Sequence, residues 1–376
     1  MHSFVRKLAV CVIPVVLLVA SGYTARTLRE HRHDGMGHSP FAIRNAASVP
    51  MVEFVNVALG GFRGIAADIL WLRAMRLQEE RRFVELAQLS DWITKLEPRL
   101  PEVWAYHAHN MGYNISVLMP RAEDRWLWVR NGFELLRDSA LPLNPRDATI
   151  QRELGWFFQH KIGSDSDRWF AAYYRTRWAA VADRYLAPGG AIPDDSDRTA
   201  AALLLENLRM ETAVMRAIEA RFGRIDWRVP HAQSLYWSWR GLDTATASER
   251  LACRRMTYVS LREMAMKHGL LSGDPSSGDY VFAATPNPAL LIPAAGFVEE
   301  TMREHRFGGV RNFYIGLCHG GMIVHAAAGD HETGRLFHGK ITDFFNDFQL
   351  GYPPYEQALT TPVEFTQNLL QRAGFN

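Results

Sequence analysis

The chain is expected to be all-α: a helical-hairpin array, extended by further C-terminal helices and preceded by one apolar N-terminal segment. Three observations carry this expectation. After Pro50, apolar residues recur at spacings of three and four almost everywhere. Proline, Asn and Asp punctuate these runs as helix start signals. No stretch sustains a period of two, apart from a short one at 280–283.

The N-terminus comes first. MHSFVRK precedes an uncharged apolar run over 8–25, flanked by Arg6 and Lys7. As a helix it would rise about 27 Å, close to the thickness of a bilayer's hydrocarbon core. Positive charge also lies beyond it, at Arg26, Arg29 and Arg32. We read residues 1–25 as an uncleaved anchor with the body outside the cytoplasm. The rival reading is a cleaved signal peptide, for which Ala20-Ser21-Gly22 offers small residues. Residues 26–49 are polar and read as a tether.

Helices are expected at 65–80, at 83–97 (Phe83, Leu86, Leu89, Ile93 and Leu96 on one stripe) and at 101–118. Pro101 suits the first turn of the third, where a missing N–H costs nothing. Asn144-Pro145 repeats the start signal, with Asn144 expected as N-cap and Asp147 in the first turn. Further helices are expected at 167–186, 198–222, 231–242, 247–268, 288–307, 310–328 and 332–348, with one more near the C-terminus. Loops fall at 187–197 and 272–288.

Residues 34 apart match in kind: Leu70 with Trp104, Ala74 with Ala108, Leu77 with Met111. A step of 47 carries Pro98 to Pro145, Ala108 to Gly155 and Met111 to Phe158. A small residue recurs where two helices would approach, and a proline where a helix pair would end. This pattern resembles the tetratricopeptide repeat, over about residues 66–187. Ala74, Ala108 and Gly155 match its small position, Phe83 its aromatic, and Pro98 and Pro145 its closing proline. Departures are Leu86 and Phe133 at small positions, Arg81 in place of a glycine, Gln151 where Trp104 stands one unit earlier, and about 13 extra residues near 118–124. The run GGFRGIAADILWLRA…DWITKLEPRLPEVWAYH also resembles membrane-anchored, repeat-containing bacterial proteins with no assigned activity. Residues 50–187 are thus expected to form the repeats and 188–376 a C-terminal helical region.

The resemblance implies that the first helix of each pair lines a concave face. On that register the lining is Trp71, Met75 and Gln78, then Ala105, His109, Gly112 and Tyr113, then Arg152, Trp156 and Gln159. Aromatic, amide and cationic groups together suit a peptide-binding groove. The bland alternative is that the C-terminal helices fill it. The function expected is therefore a membrane-tethered scaffold or adaptor without catalysis, bound to an unidentified protein. A different class is an envelope enzyme or ligand-binding protein, with a pocket between the two halves near His231, His319 or His325. A third is a structural member of a complex.

Other signals are weaker. Net charge is +2, with 42 basic and 40 acidic residues interleaved, so no nucleic-acid partner is expected. His107 and His109 are two apart on a helix and point differently, so they do not suit one metal ion. Cys318 to His325 is two turns, but GLCHGGMIVHAAAG reads as a closely packed apolar helix. GSDSD (163–167) and PDDSD (193–197) lack a full calcium ligand series and read as caps and turns. GGFRG (60–64) is a glycine hinge, not a phosphate loop. No cofactor, metal or catalytic set is expected. Cys253 and Cys318 would be able to pair if the body is exported. The many tryptophans are expected between helices.

Overall fold

The computed structural model describes residues 63–194, 196–305, 308–361 and 363–375. The apolar N-terminal run, the tether and the glycine hinge lie almost wholly outside them. The described chain is overwhelmingly helical. It divides into two compact units, Met1–Ile115 and Ser116–Asn376.

In the first unit, α1 spans Arg63–Glu79, α2 Phe83–Leu96 and α3 Pro101–His109. Pro101 opens α3 as its sequence position requires. α3 then runs without a break into a π-helical turn, Asn110–Ile115. The α2 stripe closes the core: fully buried Ala74 meets Leu77, Leu86, Ile93 and Val103, with Leu70, Trp71, Phe83, Leu89 and Tyr106 packed around them. Ala108 is likewise fully buried.

The α1–α2 turn shows what the missing glycine costs. Arg82 N–H donates to the Leu77 carbonyl (2.9 Å) and Arg81 N–H to that of Gln78 (3.0 Å), the paired bonds of a Schellman cap. Arg81 must therefore sit at φ 57°, a left-handed conformation that crowds any Cβ. Its side chain is exposed, so truncation loses no packing. Arg81→Gly is expected to stabilise the chain by about 1 kcal/mol. A urea midpoint that stays put or falls would count against this.

In the second unit, α4 (Ala122–Glu134) continues through a π-turn, Leu135–Ala140, to Leu141–Leu143. α5 (Ala148–Trp156) continues into a third π-turn, Phe157–Gly163. Next come α6 Ala171–Ala182, α7 Arg198–Leu208, α8 Thr212–Phe222, α9 Pro230–Leu242 and α10 Ala247–Met266. A two-residue antiparallel pair, β1 Leu270–Leu271 and β2 Ala284–Thr285, closes the 272–283 loop. The chain ends with α11 Leu291–Glu304, α12 Gly308–Ala327, α13 His331–Asn346, α14 Tyr355–Ala358 and α15 Val363–Arg372. α9 is the hub: every residue from Pro230 to Ser238 is buried. It lies against α5, the third π-turn and α10, and from α10 to α13 each helix packs on the one before. Gly155 faces this layer, since a Cβ there would lie 2.3 Å from Met256 Sδ of α10 and 3.4 Å from the Ser234 carbonyl of α9.

The 47-residue step recurs in the backbone. α3 and α5 are both nine residues long, begin 47 apart, and both pass into a π-turn. Within the first unit, Trp104 Nε1 donates to the Pro98 carbonyl (2.9 Å). Within the second, Gln151 Nε2 donates to that of Pro145 (3.5 Å). Gln151 thus repeats the role of Trp104 with a side chain of different chemistry.

Several boundaries differ from expectation. Asp147, not Asn144, caps α5, its carboxylate accepting from Thr149 and Ile150 N–H at 2.8 and 3.3 Å. Asn144 instead donates to the Ala140 carbonyl (3.0 Å) and closes the preceding helix. The helix expected at 198–222 is two, broken at Arg209, whose φ is 56°. Tyr236 Oη then accepts the Glu211 N–H (2.9 Å) at the start of α8. The helix expected from 167 begins at Ala171; residues 167–170 form a turn in which the Asp167 carbonyl accepts the Phe170 N–H (2.8 Å) and the Ala171 N–H (2.9 Å). Cys253 and Cys318 are separate free thiols, each buried. Two tryptophans expected between helices stand in solvent instead: Trp92 is 63% exposed and Trp169 87%.

Candidate functional site

Seven of the ten expected lining residues lie in the first unit and three in the second, and each set stands within its own unit. In the first, α1 presents Trp71, Met75 and Gln78 at spacings of four and three, while Ala74 and Leu77 turn inward. Met75 is 55% exposed and Gln78 is also in solvent. Tyr106 of α3 joins the two helices: its ring meets Trp71 edge-on at 5.0 Å and its hydroxyl donates to Gln78 Oε1 (2.7 Å). Partial burial raises the Tyr106 phenol above its ordinary pKa, so it stays a donor at neutral pH. One turn on, exposed His109 stacks on half-buried Tyr113 at 4.4 Å and 11°. Ala105 and Gly112 add no functional group to this face. Trp71, Tyr106, His109 and Tyr113 give the unit an aromatic row in which His109 is exposed and the other three rings are half-buried, with an exposed amide and an exposed thioether beside it. Tyr106 was not among the expected lining residues. The repeat register gave no signal for it, since its counterpart 34 residues earlier is Leu72, which lies on another side of α1 from Trp71.

In the second unit, the three expected residues fare differently. Trp156 is at the surface and stacks on His160 at 4.5 Å and 8°. Arg152 pairs with its neighbour Glu153 (3.0 Å). Gln159 is not open: its amide donates to the Met256 carbonyl (2.9 Å) and to Ser260 Oγ (2.8 Å) of α10. On this side a C-terminal helix covers part of the expected lining.

Two ionic networks were invisible in the sequence. In the first, Lys161, only 2% exposed, donates to Asp167 (3.0 Å), which also accepts from Tyr174 Oη (2.8 Å) and from Arg125 (3.4 Å). Burial alone would raise the Asp167 carboxyl, but Lys161, Tyr174 and Arg125 outweigh it and hold it below the ordinary range. Burial pushes Lys161 down. Arg175 bridges the Gly163 carbonyl and Asp165, at 3.0 and 2.9 Å. Together these bonds clamp the third π-turn. The second network centres on buried Asp226 and Arg228, joined by two bonds of 2.8 Å.

Of the two calcium-like loops, 193–197 does turn chemistry, with Asp194 accepting from Ser196 N–H (2.8 Å) and Asp197 capping α7 through Ala200 N–H (2.9 Å), whereas the aspartates of 163–167 are held in ion pairs with Arg175 and Lys161. His107 is buried while His109 is exposed, so the two face different surroundings. His231 is 2% exposed and enclosed by α9's neighbours. His325 pairs with Asp330 at 3.0 Å. One shallow cavity of about 340 Å³ is lined by Asp183, Gly189, Arg228 and Asp274, another of about 300 Å³ by Glu299, Arg303, Arg311 and Phe344. Neither includes His231, His319 or His325. Among the described residues no helix is long and apolar enough to cross a membrane.

No family model, no curated protein and no solved structure matches the chain.

Proposed function

We propose that the protein is a membrane-tethered scaffold that captures a protein partner on the α1–α3 face of its first unit. The observation that carries this reading is the set Trp71, Met75, Gln78, Tyr106, His109 and Tyr113, in which half-buried rigid rings stand beside an exposed imidazole, a flexible exposed thioether and a hydrogen-bonding amide. Aromatic anchors of this kind supply much of the energy of small interfaces, and an amide pins the backbone of an extended or helical segment. The tether at 26–49 and the apolar run before it would hold that face near the membrane. Trp156 and Arg152 would contribute as a second, independent contact on the other unit.

The test is crosslinking and affinity purification from membranes with the full chain. Trp71→Ala combined with Met75→Glu is expected to lower capture of the partner by about tenfold or more, the loss of one hot-spot side chain. Arg152→Ala with Trp156→Ala is expected to have a smaller effect. Undiminished capture by the first variant, with its helical circular dichroism intact, would remove the α1–α3 face as the docking site. In fractionation, the intact chain is expected to resist carbonate extraction. A soluble product lacking residues 1–22 would instead indicate a cleaved signal.

A further inference from the structure

In the second unit, α12 packs on both α11 and α13. Glu299, Met302 and Arg303 of α11 share one face by spacing, and Phe344, Asp347 and Phe348, on α13 and the turn after it, repeat that spacing. With Arg311 of α12 they line the cavity of about 300 Å³. One wall is aromatic. The Phe344 ring meets Phe348 at 5.3 Å and Phe375 at 5.9 Å, Phe348 meets Phe375 at 5.3 Å, and Phe348 remains 37% exposed. The Arg311 guanidinium lies over the Phe375 ring at 5.0 Å. Glu299 is already occupied, since its Oε1 accepts from Lys340 Nζ (2.6 Å) and Tyr314 Oη (2.8 Å). Burial alone would raise its carboxyl, but Lys340 and Tyr314 outweigh it and hold it below the ordinary range. Among the described residues neither Arg303 nor Arg311 closes an ion pair. The lining therefore offers two guanidiniums against one further carboxylate, Asp347.

We propose that this cavity binds a small aromatic monocarboxylate, its ring against Phe344 and Phe348 and its carboxylate taken by Arg303 and Arg311. A guanidinium presents a planar fork that matches a carboxylate, and stacking on Phe375 leaves Arg311 less freedom to lose on binding. Phenylalanine rings accept a further ring edge-on or offset, and the pliable Met302 thioether can close around it. At about 300 Å³ the cavity lies at the small end of ligand pockets, which limits the ligand to one or two rings. The net positive lining disfavours a cation. An inorganic anion would engage the arginines but leave the rings wet, and a neutral arene would leave the guanidiniums unmatched. The proposal stands apart from the docking face, which lies in the first unit.

The test is isothermal titration calorimetry of the full chain in a non-ionic detergent, with phenylacetate, phenylacetamide and inorganic phosphate as probes. Phenylacetate is expected to bind at a single site with a Kd below about 1 mM. The neutral amide and phosphate are each expected to bind at least about tenfold more weakly. Arg303→Gln and Arg311→Gln are each expected to weaken phenylacetate by about tenfold, the loss of one charged hydrogen bond. Arg177→Gln, at an exposed position of α6, should leave its affinity unchanged. Arg303 is itself exposed, so its substitution does not threaten the fold, and circular dichroism checks the helix content of every variant. No saturable binding of phenylacetate would overturn the proposal. So would equal affinity for the amide or for phosphate, affinity untouched by both Arg303→Gln and Arg311→Gln, or an equal loss in all three arginine variants.

Discussion

Asp226→Ala is expected to destabilise the protein by about 3–5 kcal/mol, the cost of leaving a buried charge without its partner. Asp226 is 3% exposed and Arg228 6%. Arg228 Nε and Nη2 each donate to a carboxylate oxygen at 2.8 Å, a two-point grip that a point charge would not reproduce. The same carboxylate accepts the backbone N–H of Arg228 (3.1 Å) and of Leu271 (2.9 Å), so it also ties β1 to the segment before α9. Without it the guanidinium keeps Asp183, at 3.2 Å, and loses the rest. The fit is tight enough that only glycine serves at 190. That residue has φ 70°, and a Cβ on it would lie 1.9 Å from Asp226 Oδ1. Chemical denaturation followed by circular dichroism measures the loss. Asp226→Leu with Arg228→Met should recover part of it, because the buried guanidinium is no longer orphaned, while Asp183 and the Leu271 N–H each lose a partner. A loss below about 1 kcal/mol for the single variant would show that the pair is solvated rather than buried.

Stability is also expected to fall steeply as the pH drops from about 6.5 towards 4. His231 and His107 are both pushed down to about 4 by burial. Around His231, Glu263 partly offsets that effect, while His268, Arg175 and Lys267 reinforce it. A histidine whose folded pKa lies below its unfolded value of about 6.5 favours the folded state fully above that value. Its contribution is lost as the pH falls towards the folded pKa, since the unfolded chain gains a proton the folded chain refuses. A gap of this size corresponds to about 3 kcal/mol for each histidine. Urea midpoints at pH 7.5 and 4.5 test this, and His231→Leu should flatten the drop of the second unit. Equal midpoints at the two pH values would show that water or a counter-charge reaches the ring. The depressed carboxylates, Asp167 among them, act in a separate window, below about pH 4.

The helical class, most helix positions and the 47-residue step were legible because each rests on local periodicity or on a start signal. Pro101 and the α2 stripe are cases in point. The face of each helix was less legible, and Gln159 shows why. Spacing from Trp156 set both on one side, but the chain leaves α-helical pitch at Phe157, and in the wider turn Gln159 swings onto α10. No local rule announces a π-turn. The Lys161–Asp167 and Asp226–Arg228 networks were hidden for a second reason: a charged residue reads as solvated until its partners arrive from elsewhere in the fold. At 81 the sequence showed that glycine was absent, but only the backbone shows that the left-handed turn persists regardless.

The three π-turns have a consequence for how this chain tolerates change in length. Each holds more residues per turn than the α-helical pitch before it, so each is a small reserve of slack in its helix. Those at 110–115 and 157–163 close their helices: the first passes into a short 3-10 turn at Ser116, and the third ends in extended backbone at Ser164. A single-residue deletion inside either can be absorbed by tightening to ordinary pitch, so the helix before it stays undisturbed and the change falls on the loop that follows.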